Sequence, residues 1–141
     1  MTQAVLVDAG LLVALVDKSQ PRNSACRSLA ATLPLPFVTT WAAYTEAMYL
    51  VFGLGGWPMQ SDLWGYITAS VVRLYAPGEA EPSRMLRLVE RYRDRPMDLA
   101  DATLVAAAEA LDSNRIFTLD SDFYIYRLRE TRAFEVVGPV R

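Results

Sequence analysis

The chain has 141 residues, 52% of them hydrophobic, which is enough to bury the core of one ordinary domain. Its formal net charge is −2 and it contains no histidine, which excludes Ser-His-Asp triads, Cys-His pairs and imidazole-bound zinc. Cys26 is the single cysteine, so no disulfide can form within the chain, and this indicates a reducing compartment. Any catalysis must therefore use carboxylates, hydroxyls, arginines or a metal.

Apolar runs and turn residues divide the first half of the chain into short alternating elements. In chain order we expect a strand over 4–7, a helix over 11–17, a second helix over 21–33, a strand over 37–38 and a third helix from residue 39 or 40 to 52. Gly55, Gly56 and Pro58 then predict a loop over 53–59.

The second half continues the same alternation. It predicts a helix over 61–70, a strand over 71–75, a turn over 77–82, helices over 83–92 and 98–111, a strand over 115–119, a helix over 121–129 and a strand over 134–137. This order favours one α/β domain over residues 1–141, a three-layer α/β/α sandwich on a mostly parallel central sheet of four or five strands. Ligands of such sheets bind beyond the carboxyl ends of the strands.

Two acids come directly after predicted strands. Asp8 follows the first strand and Asp120 follows the strand over 115–119, so both are expected at the ligand-binding edge of the sheet. A cap or turn aspartate explains Asp8 as well as a ligand does. Asp122 and Thr118 flank Asp120, and this strand end is richer in side-chain oxygens than one helix cap requires.

Further acids lie on predicted helices. The helix around Glu46 is apolar almost all round, which predicts a largely buried helix and a functional acid, although a partner arginine or a narrow polar stripe would also explain it. Asp98 and Asp101 share one face at the start of a later helix, where capping alone could explain the pair. Glu109, on a polar face of the same helix, is expected to be solvated.

Four stretches that span nearly the whole chain carry a recognisable pattern: VLVDAGLLVAL at 5–15, the segment 38–46, MDLADATLVA at 97–106 and IFTLDSDF at 116–123. In their order and spacing the chain resembles the PIN-domain family, and within it the VapC-type toxin ribonucleases of toxin–antitoxin operons. The resemblance implies the same α/β/α fold. The chain departs from the family pattern at Ala9, where the family often has Ser or Thr, and this removes a hydroxyl from the edge of the site.

The resemblance also implies which residues carry the chemistry. The catalytic residues would be Asp8, Glu46, Asp101 and Asp120, with Asp98, Thr118 and Asp122 as auxiliary polar residues. Asp8, Asp101 and Asp120 are expected to hold Mg²⁺ or Mn²⁺, because clustered carboxylates repel one another and hard divalent cations prefer oxygen ligands. Glu46 is expected to align the water that attacks an RNA phosphodiester bond.

The partners implied by the resemblance are an RNA substrate, a second copy in a homodimer, and an antitoxin whose peptide fills the groove beside the active site. Apolar residues in 57–66, with Tyr124 and Tyr126, could serve either protein interface, but core packing is the favoured interpretation. The alternative function is a PIN-like binding scaffold whose metal site is weak or unused, which Ala9 and the acidic charge balance permit.

The apolar run that opens the chain is not expected to be a targeting segment. Asp8 and Asp17 interrupt it, and no basic residues precede it. The sequence therefore predicts neither a signal peptide nor a membrane span, and the expected location is the cytoplasm.

Overall fold

Strands and helices alternate through most of the fold. The computed structural model describes residues 3–139, so the predicted domain ends at 1–2 and 140–141 lie outside the described residues. The elements are β1 (Val5–Val7), α1 (Ala9–Val16), α2 (Asn23–Ala30), β2 (Phe37–Thr40), α3 (Trp41–Thr68), β3 (Val72–Tyr75), α4 (Glu81–Arg91), α5 (Leu99–Leu111), β4 (Arg115–Phe117), a 3₁₀ turn (Ser121–Tyr124), β5 (Arg127–Leu128), β6 (Arg132–Ala133) and β7 (Glu135–Val137).

Five parallel strands form the centre of the fold, in the order β3-β2-β1-β4-β7. Successive side chains of a strand point to opposite faces. Val5 and Val7 accordingly pack in one buried cluster with α1, α2 and α3, while Leu6 packs in a second cluster with α5 and the residues around the 3₁₀ turn. Helices therefore cover both faces, and the predicted three-layer α/β/α sandwich on a parallel sheet is confirmed.

The predicted loop over 53–59 is wrong, because helical structure continues from Trp41 to Thr68. Gly56 interrupts it with φ 64° and ψ −156°, a conformation open almost only to glycine. Pro58 then lies in the first turn after the kink, where its missing N–H group costs no hydrogen bond. The sequence signals marked a change of helix direction rather than a loop.

The predicted helix over 121–129 is also wrong. Only one 3₁₀ turn forms there, and the chain then makes a small antiparallel hairpin of β5 and β6. Its tip contains Arg129 and Glu130, both with positive φ. Phe123, Tyr126 and Leu128 are buried at uneven spacing against α5, which a regular helix could not achieve.

A buried ion pair replaces the solvated acid expected at Glu109. Only 8% of Glu109 is exposed. The guanidinium of Arg84 donates to both of its carboxylate oxygens, at 2.8 and 2.7 Å, and Arg129 N–H donates to one of them. Burial by itself raises the pKa of Glu109, but these hydrogen bonds outweigh it and hold the pKa below its ordinary value. The pair joins α4, α5 and the hairpin.

Within residues 3–139, every helix is too short or too polar to cross a membrane.

Gly56→Ala should lower the free energy of unfolding by about 1–3 kcal/mol, because alanine is strained at this φ and ψ. Gly53→Ala is the matched control. Gly53 lies in the helical part of α3 with open space where a Cβ would lie, so alanine there should be neutral or stabilising by up to ~1 kcal/mol. Urea unfolding followed by circular dichroism measures both, and equal effects would contradict the kink.

Candidate active site

Five carboxylates line one pocket at the carboxyl edge of the sheet. The pocket has a volume of about 300 Å³, and its acids are Asp8, Glu46, Asp98, Asp101 and Asp120. They come from the end of β1, from α3, from the start of α5 and from the segment after β4. The predicted quartet and the auxiliary Asp98 thus lie together, because parallel pairing of β1 and β4 brings their ends to the same edge.

Asp8 is both a helix cap and a wall of the pocket. Its Oδ1 accepts a hydrogen bond from Leu11 N–H at 3.0 Å and caps α1, while its Oδ2 accepts one from the Thr118 hydroxyl. Thr118 is fully buried, and its Oγ1 also accepts from Asp120 N–H at 2.9 Å. The alternatives of cap and functional acid are therefore compatible, since each carboxylate oxygen can accept more than one bond.

Asp101 accepts a hydrogen bond from Tyr126, a contact that the sequence did not indicate. Tyr126, 1% exposed, donates its hydroxyl to Asp101 Oδ2 at 3.1 Å. Its ring packs edge-on against Tyr92 and Phe123, with centroids 5.1 and 5.2 Å away. Core packing, the favoured interpretation of this tyrosine, is confirmed. The hydrogen bond from Tyr126 to Asp101 was not predicted, because it depends on the hairpin that forms in place of the predicted helix over 121–129.

Glu46 lines the pocket from an exposed position, not from a buried helix. Only a stripe of α3 is buried at this end, at Ala43, Tyr44, Ala47 and Val51. Other apolar side chains of α3 remain open to solvent, with Tyr49 79% exposed. The expectation of a largely buried helix was wrong, because this part of α3 packs on its neighbours along one side only.

The apolar segment 57–66 is also more exposed than core packing requires. Trp57 is 62% exposed and Trp64 is 41% exposed, whereas Leu63 between them is fully buried. Trp64 packs edge-on against Tyr44, with ring centroids 5.4 Å apart. Core packing, the favoured interpretation, is therefore wrong for Trp57 and only partly right for Trp64.

The auxiliary residues take different places. Asp98 caps α5 by accepting from Asp101 N–H at 2.8 Å, and it is exposed at the pocket. Thr118 lies behind the pocket, bonded to Asp8. Asp122 is not among the residues that line the pocket; its Oδ1 pairs with Arg95 Nη2 at 3.1 Å instead.

Mutual repulsion and burial disturb the ionisation of these acids. Burial raises the pKa of Asp8 to about 6, opposed by its hydrogen bonds and increased by the charge of Asp120. Burial also raises the pKa of Asp101 to about 8, with added repulsion from Asp98 and Asp120. Partial burial and the charge of Asp98 raise the pKa of Glu46. Negative charge is therefore in excess at this edge, and a cation would relieve it.

The donor set fits a hard divalent cation, because every polar side chain that lines the pocket is a carboxylate. Yet within residues 3–139, no group of three or more His, Cys, Asp or Glu side chains is arranged to hold a metal ion. An ion here would need water among its ligands, as Mg²⁺ usually does, or a rotation of the acids toward it. Ala9, buried beside Asp8, adds no hydroxyl to this edge.

Comparisons with known proteins bear on the family and the fold of the chain. A model of the PIN domain family matches residues 5–128. Over 116 residues the chain is 25% identical to ribonuclease VapC26 of Mycobacterium tuberculosis (strain ATCC 25618 / H37Rv), covering 82% of this chain and 86% of that protein.

Two solved structures share the fold. The Sarcin-Ricin loop cleaving toxin VapC20 of Mycobacterium tuberculosis superposes with a TM-score of 0.81 at 20% identity, covering 92% of this chain and 99% of that one. A toxin–antitoxin complex from Klebsiella pneumoniae gives 0.68 at 18% identity, with 98% and 99% covered. At these identities the likeness shows the fold.

Without metal, the protein should lose stability as pH rises from about 4 to about 8. The pKa values of Asp8 and Asp101 lie above their ordinary 3.8, so over this range the folded state binds more protons than the unfolded chain. Asp101→Asn should raise the free energy of unfolding at pH 8 by roughly 1–3 kcal/mol and flatten the pH dependence.

Urea unfolding in EDTA at several pH values measures this effect. Asp62→Asn, which removes an exposed acid of α3 outside the pocket, is the control and should follow the wild-type profile. A wild-type stability that stays constant between pH 5 and pH 8 would contradict the repulsion.

Proposed function

The chain belongs to the PIN domain family, and from that membership we propose that it is a metal-dependent endoribonuclease, the toxin of a toxin–antitoxin pair. The single observation that carries the proposal is the pocket of five carboxylates beyond the strand ends, with two acids whose pKa values are raised far above the ordinary range. Its reaction is hydrolysis of RNA phosphodiester bonds.

Asp8, Asp101 and Asp120 are the proposed ligands of Mg²⁺ or Mn²⁺. Such an ion supplies positive charge that stabilises the developing negative charge on the phosphodiester and favours ionisation of water. The protein's own contribution is to hold the acids in place. Leu11 N–H and the Thr118 hydroxyl fix the Asp8 carboxylate, and the buried Tyr126 hydroxyl fixes that of Asp101.

Glu46 is proposed to orient the attacking water and to accept its proton. Its carboxylate lies at the open side of the pocket, where solvent and substrate can reach it. Its raised pKa makes it a better base than an ordinary glutamate, because a carboxylate that binds protons more strongly takes one more readily.

The proposed partners are RNA, a second copy of the chain and an antitoxin. The first two follow from the family, and an antitoxin is supported by the toxin–antitoxin complex from Klebsiella pneumoniae that shares the fold. Exposed apolar side chains near the pocket, Leu50, Phe52 and Leu54 among them, offer surface for protein contacts. We also propose one domain over 1–141 and a cytoplasmic location.

Asp8→Asn and Asp101→Asn should each lower Mn²⁺-dependent RNA cleavage by at least ~100-fold, because each removes a proposed metal ligand. Cleavage of a labelled single-stranded RNA, resolved on a gel, measures the loss. Asp62→Asn is the charge-matched control and should cleave at the wild-type rate. Wild-type activity in both site variants would contradict the proposed metal ligands.

Mn²⁺ should stabilise the folded protein, by about 2.7 kcal/mol at a concentration one hundred times its dissociation constant. Thermal unfolding at increasing Mn²⁺ measures this, and Asp101→Asn should reduce the gain. A PIN-like scaffold with an unused metal site is the second candidate function, favoured by the absence of a three-ligand group in residues 3–139. It would show no stabilisation in either protein.

A further inference from the structure

An RNA strand needs positive charge beside this pocket. Five carboxylates line it, the net charge of the chain is −2, and RNA is itself a polyanion. Affinity for nucleic acid comes largely from Lys and Arg contacts to phosphates, so a ribonuclease with this balance requires a local cluster of cations. Such a cluster has to lie within reach of the acids without neutralising them.

Residues 91–95, here called the arginine segment, meet this requirement. The sequence Arg-Tyr-Arg-Asp-Arg ends α4 and leads within three residues to Asp98, the N-cap of α5 at the pocket. Arg95 Nη2 lies 3.1 Å from Asp122 Oδ1, and Asp122 N–H in turn donates to Asp120. The segment is therefore joined to the chain beside the pocket acid Asp120.

A second contact joins the arginine segment to Asp101. The ring of Tyr92 packs on Tyr126 at a centroid distance of 5.1 Å, and Tyr126 donates its hydroxyl to Asp101. Arg91 Cζ lies 5.8 Å from the centroid of the same Tyr92 ring. Arg91 thus lies beside a tyrosine pair that contacts the pocket acid Asp101.

The charges of the segment are available to a ligand. Arg91 and Arg93 are exposed, and no ion pair joins either of them to a carboxylate of residues 3–139. The Arg93 side chain donates to the backbone carbonyl of Glu90, at 3.0 Å. Four arginines elsewhere are paired with acids: Arg84, Arg115, Arg129 and Arg132.

We propose that the arginine segment binds the phosphate backbone of the RNA strand on the side of the pocket next to α5. This inference rests on the proposed ribonuclease function and deepens it by naming where the substrate backbone lies. Guanidinium groups bind phosphate oxygens in bidentate fashion, and such contacts position a strand without reading its sequence. The segment therefore contributes affinity and register, not base specificity.

A purely structural role makes a different prediction. Basic side chains in the last turn of a helix stabilise its negative end, and Arg91 is the last residue of α4. If that were the whole role of these arginines, their loss would lower thermal stability and leave RNA binding unchanged. Salt dependence of RNA binding separates the two, because it reports the number of phosphates that the protein contacts.

The experiment measures binding of a fluorescein-labelled single-stranded oligoribonucleotide of mixed sequence by anisotropy at increasing salt. Full-length Asp101→Asn protein in Mg²⁺ serves as the background, so that RNA is not consumed. Arg91→Gln with Arg93→Gln should weaken binding about tenfold or more. It should also reduce the slope of log K against log salt by about 1.4, or ~0.7 for each lost phosphate contact to a single strand.

Two control variants are measured in the same way. Arg73→Gln removes an exposed charge on β3, near the amino-terminal ends of β2 and β3, and should leave affinity and slope unchanged. Arg91→Lys with Arg93→Lys keeps both charges, so its slope should match that of the background protein. An unchanged slope in the double glutamine variant, or an equal loss in Arg73→Gln, would overturn the inference.

Cleavage by the otherwise wild-type protein, assayed in parallel, separates this inference from the function on which it rests. If the wild-type protein cleaves RNA in Mn²⁺ and the double glutamine variant binds RNA with the background slope, only the arginine segment is wrongly assigned. If the wild-type protein neither binds nor cleaves RNA, the ribonuclease proposal fails, and the inference fails with it.

Discussion

The structure around the pocket depends on one buried carboxylate at the end of the central strand. Asp8 is 6% exposed, and its two oxygens accept bonds from Leu11 N–H and from Thr118. The first bond begins α1 and the second joins β1 to the segment after β4. Thr118 also holds the backbone at Asp120, so two acids of the pocket share one support. A side chain at this position must accept hydrogen bonds on both sides, which restricts it far more than a surface turn would.

Two opposite effects act on the ionised acids of the pocket: hydrogen bonds stabilise some of them, whereas burial and the neighbouring negative charges destabilise them. Hydrogen bonds from backbone and hydroxyl donors lower the cost of the charges on Asp8 and Asp101, while burial and the neighbouring carboxylates raise the pKa values of Asp8, Glu46 and Asp101. Structural ion pairs in this molecule behave in the opposite way. Glu109, buried to a similar degree, has the guanidinium of Arg84 against both oxygens, and its pKa is lowered. Among residues 3–139, no cation is paired with the acids of the pocket, an arrangement that proteins maintain chiefly at functional sites.

The distribution of arginine is compatible with the proposed binding of a polyanionic substrate beside an acidic pocket. Thirteen of the 14 basic residues are arginines. Several are bound to acids remote from the pocket, as in the pair of Arg115 with Glu135, which joins β4 to the edge strand β7. Those of residues 91–95 are exposed, and Arg95 is paired with Asp122 next to the chain at Asp120. On the proposed assignment, attraction for a phosphate backbone and attraction for a cation would belong to adjacent surfaces.

The sequence by itself determined the fold class and the meeting of Asp8 and Asp120 at one edge of the sheet, and the resemblance to the PIN-domain family added Glu46 and Asp101 to them. Apolar runs such as Val5–Val7, each followed by a helical segment, require a parallel sheet, and parallel strands carry whatever follows them to one edge. It could not determine the exposure of Glu46, the kink at Gly56 or the contact between Tyr126 and Asp101. Each depends on which face of an element finds a neighbour: α3 is apolar almost all round but packs along a stripe, and Tyr126 reaches Asp101 only because a hairpin replaces the predicted helix. Local patterns specify what an element can bury, whereas contacts between distant segments decide what it does bury.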